Sequence, residues 1–257
     1  MMDRYAVWLG GIELRDCDPR IVISSIDDNA PKEKSSITYM GYTHGGRLTK
    51  TVRQSLSVSV VIGIKETDMH ERDAVYQSIR KWGRYPGYLT TSRKEGQRLY
   101  VEDMSIKTSG KKWMETITLT LTAYAKPFWE DVGARSATIG TAAASGSTSL
   151  SAPGNAEECM VDAEIVAKGG TLNTLSVTVG ETTMSFTALG IAVRSAITIL
   201  HADDGTLTIK SGATSLMAKR TATSADDLIA VPGSSNTVSF SANVTCIAKF
   251  STRGRWQ

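Results

Sequence analysis

The segment VRQSLSVSVVIGI, residues 52–64, alternates apolar and polar side chains with a period of two. Val52, Gln54, Leu56, Val58, Val60, Ile62 and Ile64 fall on one face; Arg53, Ser55, Ser57 and Ser59 fall on the other. Successive side chains of an extended chain point to opposite sides, so the pattern predicts a strand with one buried face and excludes an amphipathic helix. WMETITLTLTAY repeats it, with Ile117, Leu119, Leu121 and Ala123 against Thr116, Thr118, Thr120 and Thr122. Strands with one wet face belong to antiparallel sheets.

Between these strands lies the first half's one predicted helix, in ETDMHERDAVYQSIRKWGRYPG. Asp68 followed three residues later by Glu71 suits a capping box. Met69, Val75, Tyr76, Ile79 and Trp82 make one stripe at helical spacing, and Gly83 and Pro86 stop it. Arg72 projects into that stripe, which makes it a snorkelling residue or a contact to another subunit. Ahead of the long strand runs a polar, glycine-bearing segment, DDNAPKEKSSITYMGYTHGGRLTK. A loop of that length inside a compact domain is usually functional. Its residues 37–50 read as a hairpin arm, with THGG near the tip. Ile37, Tyr39, Met40, Tyr42 and Leu48 supply apolar surface that needs a partner, and Arg47 and Lys50 supply charge.

The chemistry changes near residue 131. All eight tyrosines lie before it, with 20 Lys+Arg and 17 Asp+Glu; residues 132–257 hold nine of each charge. That second half is rich in Ser, Thr, Ala and Gly. LNTLSVTVGETTMSFTAL predicts a hairpin about Gly180-Glu181, AITILHADDGTLTIKSG one about Asp204-Gly205, and NTVSFSANVTCIAKFSTRGRW a final strand. Two domains follow, 1–131 and 132–257, the second a β-sandwich with no helix. The border carries AKPFWED, where Pro127 cannot donate to a ladder, Phe128 and Trp129 bury large areas, and Glu130 and Asp131 return the chain to water.

No catalytic constellation emerges. HERDA begins like a zinc helix but lacks the second histidine, so His70 reads as a solvent-facing residue. There is no nucleophile elbow and no phosphate-cradling loop. The adjacent acid pairs cannot share a substrate, because neighbours on a strand point apart. The basic clusters RKWGRY and SRKEGQR have acids interleaved and read as solvated strand ends. Cys17, Cys159 and Cys246 are predicted free, although a Cys159–Cys246 bridge stays open if their strands are neighbours. No signal peptide and no membrane span are expected, which predicts synthesis in the cytoplasm. Neither cofactor nor metal is expected, and the protein reads as a non-enzyme.

The order of features is informative. WLGGIEL is followed by a second strand, a polar arm, GRLTKTVRQSLSVSVVIGI, one helix, a β-pair and AYAKPFWED. Then come APGNAEE, a sandwich with a DDGTLTI hairpin, and a last strand in RGRW. Over essentially its whole length the chain resembles the distal tail proteins of long-tailed, non-contractile bacteriophages and prophages. That resemblance implies a mainly β chain: a tail-tube-like β-sandwich with one α-helix, then a galectin-like β-sandwich. It implies a hexameric ring at the end of the tail tube, at the virion tail tip, assembled in the host cytoplasm. Its partners would be the tail tube protein, the tape-measure protein and the tail-tip or adhesion proteins, with DNA passing through a channel. The uncharged Ser/Thr faces are candidate lumen surfaces, equally readable as solvent faces. Pro127, Phe128 and Trp129 would latch the interdomain joint. Another tube or adaptor subunit, or a carbohydrate-binding sandwich, are the alternative readings.

Overall fold

The computed structural model describes residues 5–29, 31–39, 46–66, 68–111, 114–156 and 158–256. The protein is mainly β, in several antiparallel sheets, and sandwich-like. Residues up to Trp129 form one compact unit and Glu130–Trp256 a second.

The first unit holds β1 (Val7–Leu9), β2 (Ile12–Glu13), α1 (Leu14–Cys17), β3 (Ile21–Asp28), β4 (Lys32–Tyr39), β5 (Gly46–Ile64), α2 (Met69–Trp82), β6 (Gly87–Thr91), β7 (Gln97–Val101), β8 (Asp103–Lys111) and β9 (Met114–Ala123). One sheet runs β3-β5-β9-β8, with β4 attached to β5; another runs β2-β1-β6-β7. Leu56, Val58, Val60 and Ile62 of β5 and Ile117, Leu119, Leu121 and Ala123 of β9 are all buried. Each such side chain contributes roughly 1.5–3 kcal/mol when fully buried. The alternation breaks at one point: Gln54 is exposed, while Ser55 is buried beside Leu56. A register shift between the pairs Lys32↔Ser55 and Glu33↔Arg53 moves the strand by one residue there and reverses its faces.

Helix α2 differs from its sequence reading in two details. Asp68 Oδ1 does accept from the His70 and Glu71 N–H groups, at 2.8 and 3.4 Å. Glu71, however, does not reach back. The Asp68 N–H donates to Glu66 at 3.0 Å, and Glu71 receives the Arg20 guanidinium at 2.8 Å. The buried stripe is Arg72, Val75 and Ile79, whereas Met69 is 55% exposed. Met69 is the first helical residue, and the core starts one turn deeper. The helix ends at Gly83, whose N–H reaches Ile79 O at 3.1 Å. Helix α1, a single turn with Leu14 buried, is a second helix that the sequence reading lacks.

The second unit begins within β10 (Trp129–Asp131) and continues through β11 (Arg135–Ala152), β12 (Cys159–Ala167), β13 (Leu175–Val179), β14 (Thr182–Phe186), β15 (Ala196–His201), β16 (Leu207–Ser211), β17 (Thr214–Ser215), β18 (Ile229–Ala230), β19 (Ser234–Thr252) and β20 (Arg255–Trp256). The expected hairpins are present: Val179 pairs with Thr182 across Gly180-Glu181, and His201 with Leu207 around Asp204-Gly205. Gly180 and Gly205 take φ of 53° and 84°, which glycine adopts without steric cost.

Strand β19 organises this unit. Along one side, residues 238–242 pair with β13 and residues 246–252 with β12; β11 follows its other side throughout. The β11 register slips twice between Ile139 and Ser145, where β19 passes from one partner to the next. A strand that changes partners at a bulge is how sheets turn a corner. The core between them includes Ile165, Val177, Met184, Phe186, Ile199, Phe240 and Phe250. Cys159 and Cys246 do lie on neighbouring strands, but Cys246 pairs with Ala167, at the opposite end of β12. Eight residues separate the two thiols along that strand, roughly 26 Å, so no bridge forms.

Candidate assembly surfaces

Strand β5 does two jobs along its 19 residues. Its second part, from Leu56, sits between β3 and β9. Its first part, from Gly46 to Ser55, pairs with β4 alone among the described residues. Those ten residues form a two-stranded ribbon reaching roughly 33 Å beyond the sheet at ~3.3 Å per residue. A lone two-stranded hairpin is marginal in water, so a ribbon of this length calls for a surface to lie on.

Five of the arm residues singled out in the sequence lie on this ribbon. Ile37 pairs with Leu48 and Tyr39 with Gly46, while Arg47 and Lys50 face Thr38 and Ser36. Met40 and Tyr42 lie outside the described residues. Arg72 is not on a free surface. It is 8% exposed, and its Nε donates to Glu66 O at 2.7 Å, so its own unit encloses it.

A second surface was not legible in the sequence. Ile12, Cys17, Trp82, Tyr85 and Pro86 line an apolar groove of about 460 Å³, with Asp16 and Lys81 among its lining residues. Ile12 is 57% exposed and Tyr85 70%. The Trp82 indole N–H donates to Ile12 O at 2.9 Å, which fixes one wall. The groove joins the end of β1, β2, α1, the end of α2 and the turn after it, segments that sequence periodicity does not bring together.

The outer face of the β5–β9 pair is uncharged. Ser57 lies opposite Thr122, Ser59 opposite Thr120, and Gly63 opposite Thr116. Asn29 donates to both Ser57 and Ser59, at 3.2 and 3.0 Å. Among the described side chains, charge beside this face sits on the flanking strands, at Asp27, Asp103 and Lys107.

The border stretch is built differently from its sequence reading. Strand β9 stops at Ala123, four residues before Pro127, and Glu102 takes the N–H groups of Tyr124 and Ala125. A carboxylate capping the strand, not the proline, ends it. Pro127 and Trp129 are buried and Phe128 is half-buried. Lys94 Nζ sits 4.8 Å from the Trp129 ring centre and 3.4 Å from Asp28. Glu130 and Asp131 do not return to water. Glu130 is 6% exposed and faces Arg255 Nε at 3.6 Å; Asp131 accepts from the Trp256 indole at 2.7 Å. The basic cluster between β6 and β7 is likewise spent internally, with Arg93 donating to Ile26 O and Arg98 lying 3.6 Å over the Tyr88 ring.

Among the described residues, no group of three His, Cys, Asp or Glu side chains is arranged to hold a metal. The His201 side chain is buried, with Nδ1 2.9 Å from Asp162 and Nε2 3.4 Å from Asp227, a tie between β12, β15 and the segment before β18. Burial pushes the Cys159 and Cys246 thiols above their ordinary range; at Cys17 burial acts first and the Asp16 and Asp18 charges add to it.

The crystal structure of the SPP1 Dit protein, described as a paradigm of the hub adsorption apparatus in Gram-positive infecting phages, superposes with a TM-score of 0.74. The match covers 97% of this chain and 98% of that one, at 10% identity. The chain has the Dit fold. Two structures of the phage p2 baseplate in its activated conformation, with calcium and with strontium, align over 99% and 97% of the chain with TM-scores of 0.47 and 0.45, at 9% and 10% identity. No protein-family model and no curated protein matches the sequence.

Proposed function

We propose that this chain is a structural protein of a phage tail tip, a distal tail protein that closes into a hexameric ring between the tail tube and the adhesion device. The observation that carries the reading is the Dit fold across 97% of the chain. The projecting β4–β5 ribbon supports it, since a head-to-tail ring needs an element on each copy that engages a different patch on the next. The tail tube protein, the tape-measure protein and the tail-tip proteins are the partners this position requires, and the particle is assembled in the host cytoplasm. The first unit is the tail-tube-like ring former and the second the galectin-like sandwich, with Pro127, Phe128 and Trp129 latching the joint. The neutral Ser/Thr face of β5 and β9 suits a channel wall, because a wall without clustered cations lets DNA pass without holding its phosphates. Negative-stain images of the purified chain test the reading. Six-fold rings with a central hole are expected, and a monodisperse monomer at micromolar concentration would overturn it.

A further inference from the structure

We infer that the outer edge of β11 pairs antiparallel with β11 of a second copy, across a two-fold axis between Ala144 and Ser145. This contact differs from the head-to-tail contact of the ring and does not rest on it.

The second unit treats its sheet edges unequally. The β14 edge is covered by the segment 219–225, where the Thr221 N–H donates to Ser185 O at 2.9 Å and the Ala225 N–H to Thr183 O at 2.8 Å. The β17 edge is two residues long. Strand β11 is eighteen residues long and pairs with β19 alone among the described residues. Natural edges are kept from pairing by charge, proline, short length or bulges. From Ser136 to Ala152 there is no charge and no proline, and the register slips against β19 between Ile139 and Ser145 are the one such device. A long bare edge, with its row of backbone donors and acceptors, is a template for another strand.

The sequence of the edge points to the strand that fits it. Read outward from the Ala144–Ser145 centre, β11 is nearly alike in both directions: Thr141 stands opposite Thr148, Ile139 opposite Leu150 and Thr138 opposite Ser151. Pairing with a second copy is the arrangement that uses this symmetry. The faces agree as well. Leu150 lies in the core and Ile139 packs against it, while Thr138 and Ser151 are exposed. Apolar side chains thus meet on one face and hydroxyls on the other, pairs that stabilise antiparallel strands. Arg135, the one charged residue of β11, falls outside the paired stretch 137–152. Sixteen residues a side is fewer than the roughly 20–30 of a standard interface, so the pair is weak in dilute solution.

The full chain carrying Cys17→Ser, Thr138→Cys and Ser151→Cys tests the pairing, since Cys159 and Cys246 are fully buried. Each new thiol at 138 then faces the one at 151 of the other copy, where opposed Cβ atoms lie ~4.5–5.5 Å apart and a disulfide can close. Within one chain the two positions are thirteen residues apart, ~43 Å along the strand, too far for a bridge. After air oxidation at high protein concentration, a non-reducing denaturing gel is expected to show a two-chain band and no ladder, because a two-fold contact closes on itself. The band is expected at least tenfold weaker with either new cysteine alone, and with Thr138→Cys/Ser147→Cys, whose thiols are out of register. An unlinked chain, a ladder, or an out-of-register pair that links equally well overturns the pairing. Hexamers without the link overturn the pairing and leave the ring reading standing; the link without hexamers leaves the pairing standing and overturns the ring.

Discussion

Arg255 and Glu130 form an ion pair with side chains only 7% and 8% exposed. Replacing Arg255 with methionine keeps the volume and the apolar stem but removes the guanidinium that faces the buried Glu130 carboxylate. Breaking a buried pair from one side costs about 3–5 kcal/mol. The 3.6 Å separation places this pair at the lower end, near 3 kcal/mol. For a unit of this size, with roughly 3–4 °C per kcal/mol, the melting temperature falls by about 10 °C. Arg255 Nη1 also donates to Glu158 O at 3.3 Å, so the single variant overstates the pair. A double-mutant cycle with Glu130→Leu isolates it. The double variant Arg255→Met/Glu130→Leu is expected to regain more than half of the loss, because no charge is then stranded. Scanning calorimetry on the full chain reads both values. An Arg255→Met chain within about 0.5 kcal/mol of the parent, or a double variant no better than the single one, refutes the stranded-charge argument.

Other expectations can be checked alongside. Gly154 sits at φ 123° with an added Cβ 2.1 Å from Arg255 O, so Gly154→Ala is expected to destabilise the second unit by several kcal/mol in urea titration; an effect below 1 kcal/mol would contradict the close approach. The Arg20 hydrogen bond holds the Asp18 carboxyl below its usual range. That contribution is present above the unfolded carboxylate pKa, near 3.9, and lost as pH falls through the lower folded value. Asp18→Asn should therefore be less stable than the parent at pH 7 and converge with it in acid; a gap that widens in acid would reverse the sign. Residues 130–257 expressed alone should unfold in one cooperative transition, and a fragment from 136 should melt lower because Arg255 and Trp256 lose Glu130 and Asp131. Equal melting of the two fragments would count against the border contacts. Alkylation without reductant should modify all three cysteines in denaturant and neither Cys159 nor Cys246 in the native chain, read by intact mass.

Period-two alternation carried the central strands β5 and β9 of the first unit, and turn glycines carried two hairpins of the second. Strand β11 was hidden because all but Arg135, Ile139 and Leu150 of its eighteen residues are Ser, Thr, Ala or Gly, with no apolar alternation, and only Leu150 and Ala152 are buried. It exists because β19 pairs with it, a tertiary cause that local pattern does not encode. Ser55 shows the same limit: a one-residue slip against β4 reversed the faces that simple alternation assigns. At the border, Glu130 and Asp131 read as solvent-facing acids because their partners, Arg255 and Trp256, stand more than a hundred residues away in sequence. Of the candidate surfaces, the arm was legible as a polar loop carrying stranded apolar residues. The Ile12–Trp82–Tyr85 groove was not, since its walls come from β1, β2, α1, the end of α2 and the turn after it, which share no common period.

The most direct test of ring formation is native mass spectrometry of the full chain beside a variant in which residues 38–49 are replaced by a short Gly-Ser linker. The parent is expected at the mass of six 27.7 kDa chains, and the variant at one, with the same far-ultraviolet circular dichroism per residue outside the ribbon. A parent that stays monomeric, or a ribbon-less variant that still assembles in sixes, would contradict the account.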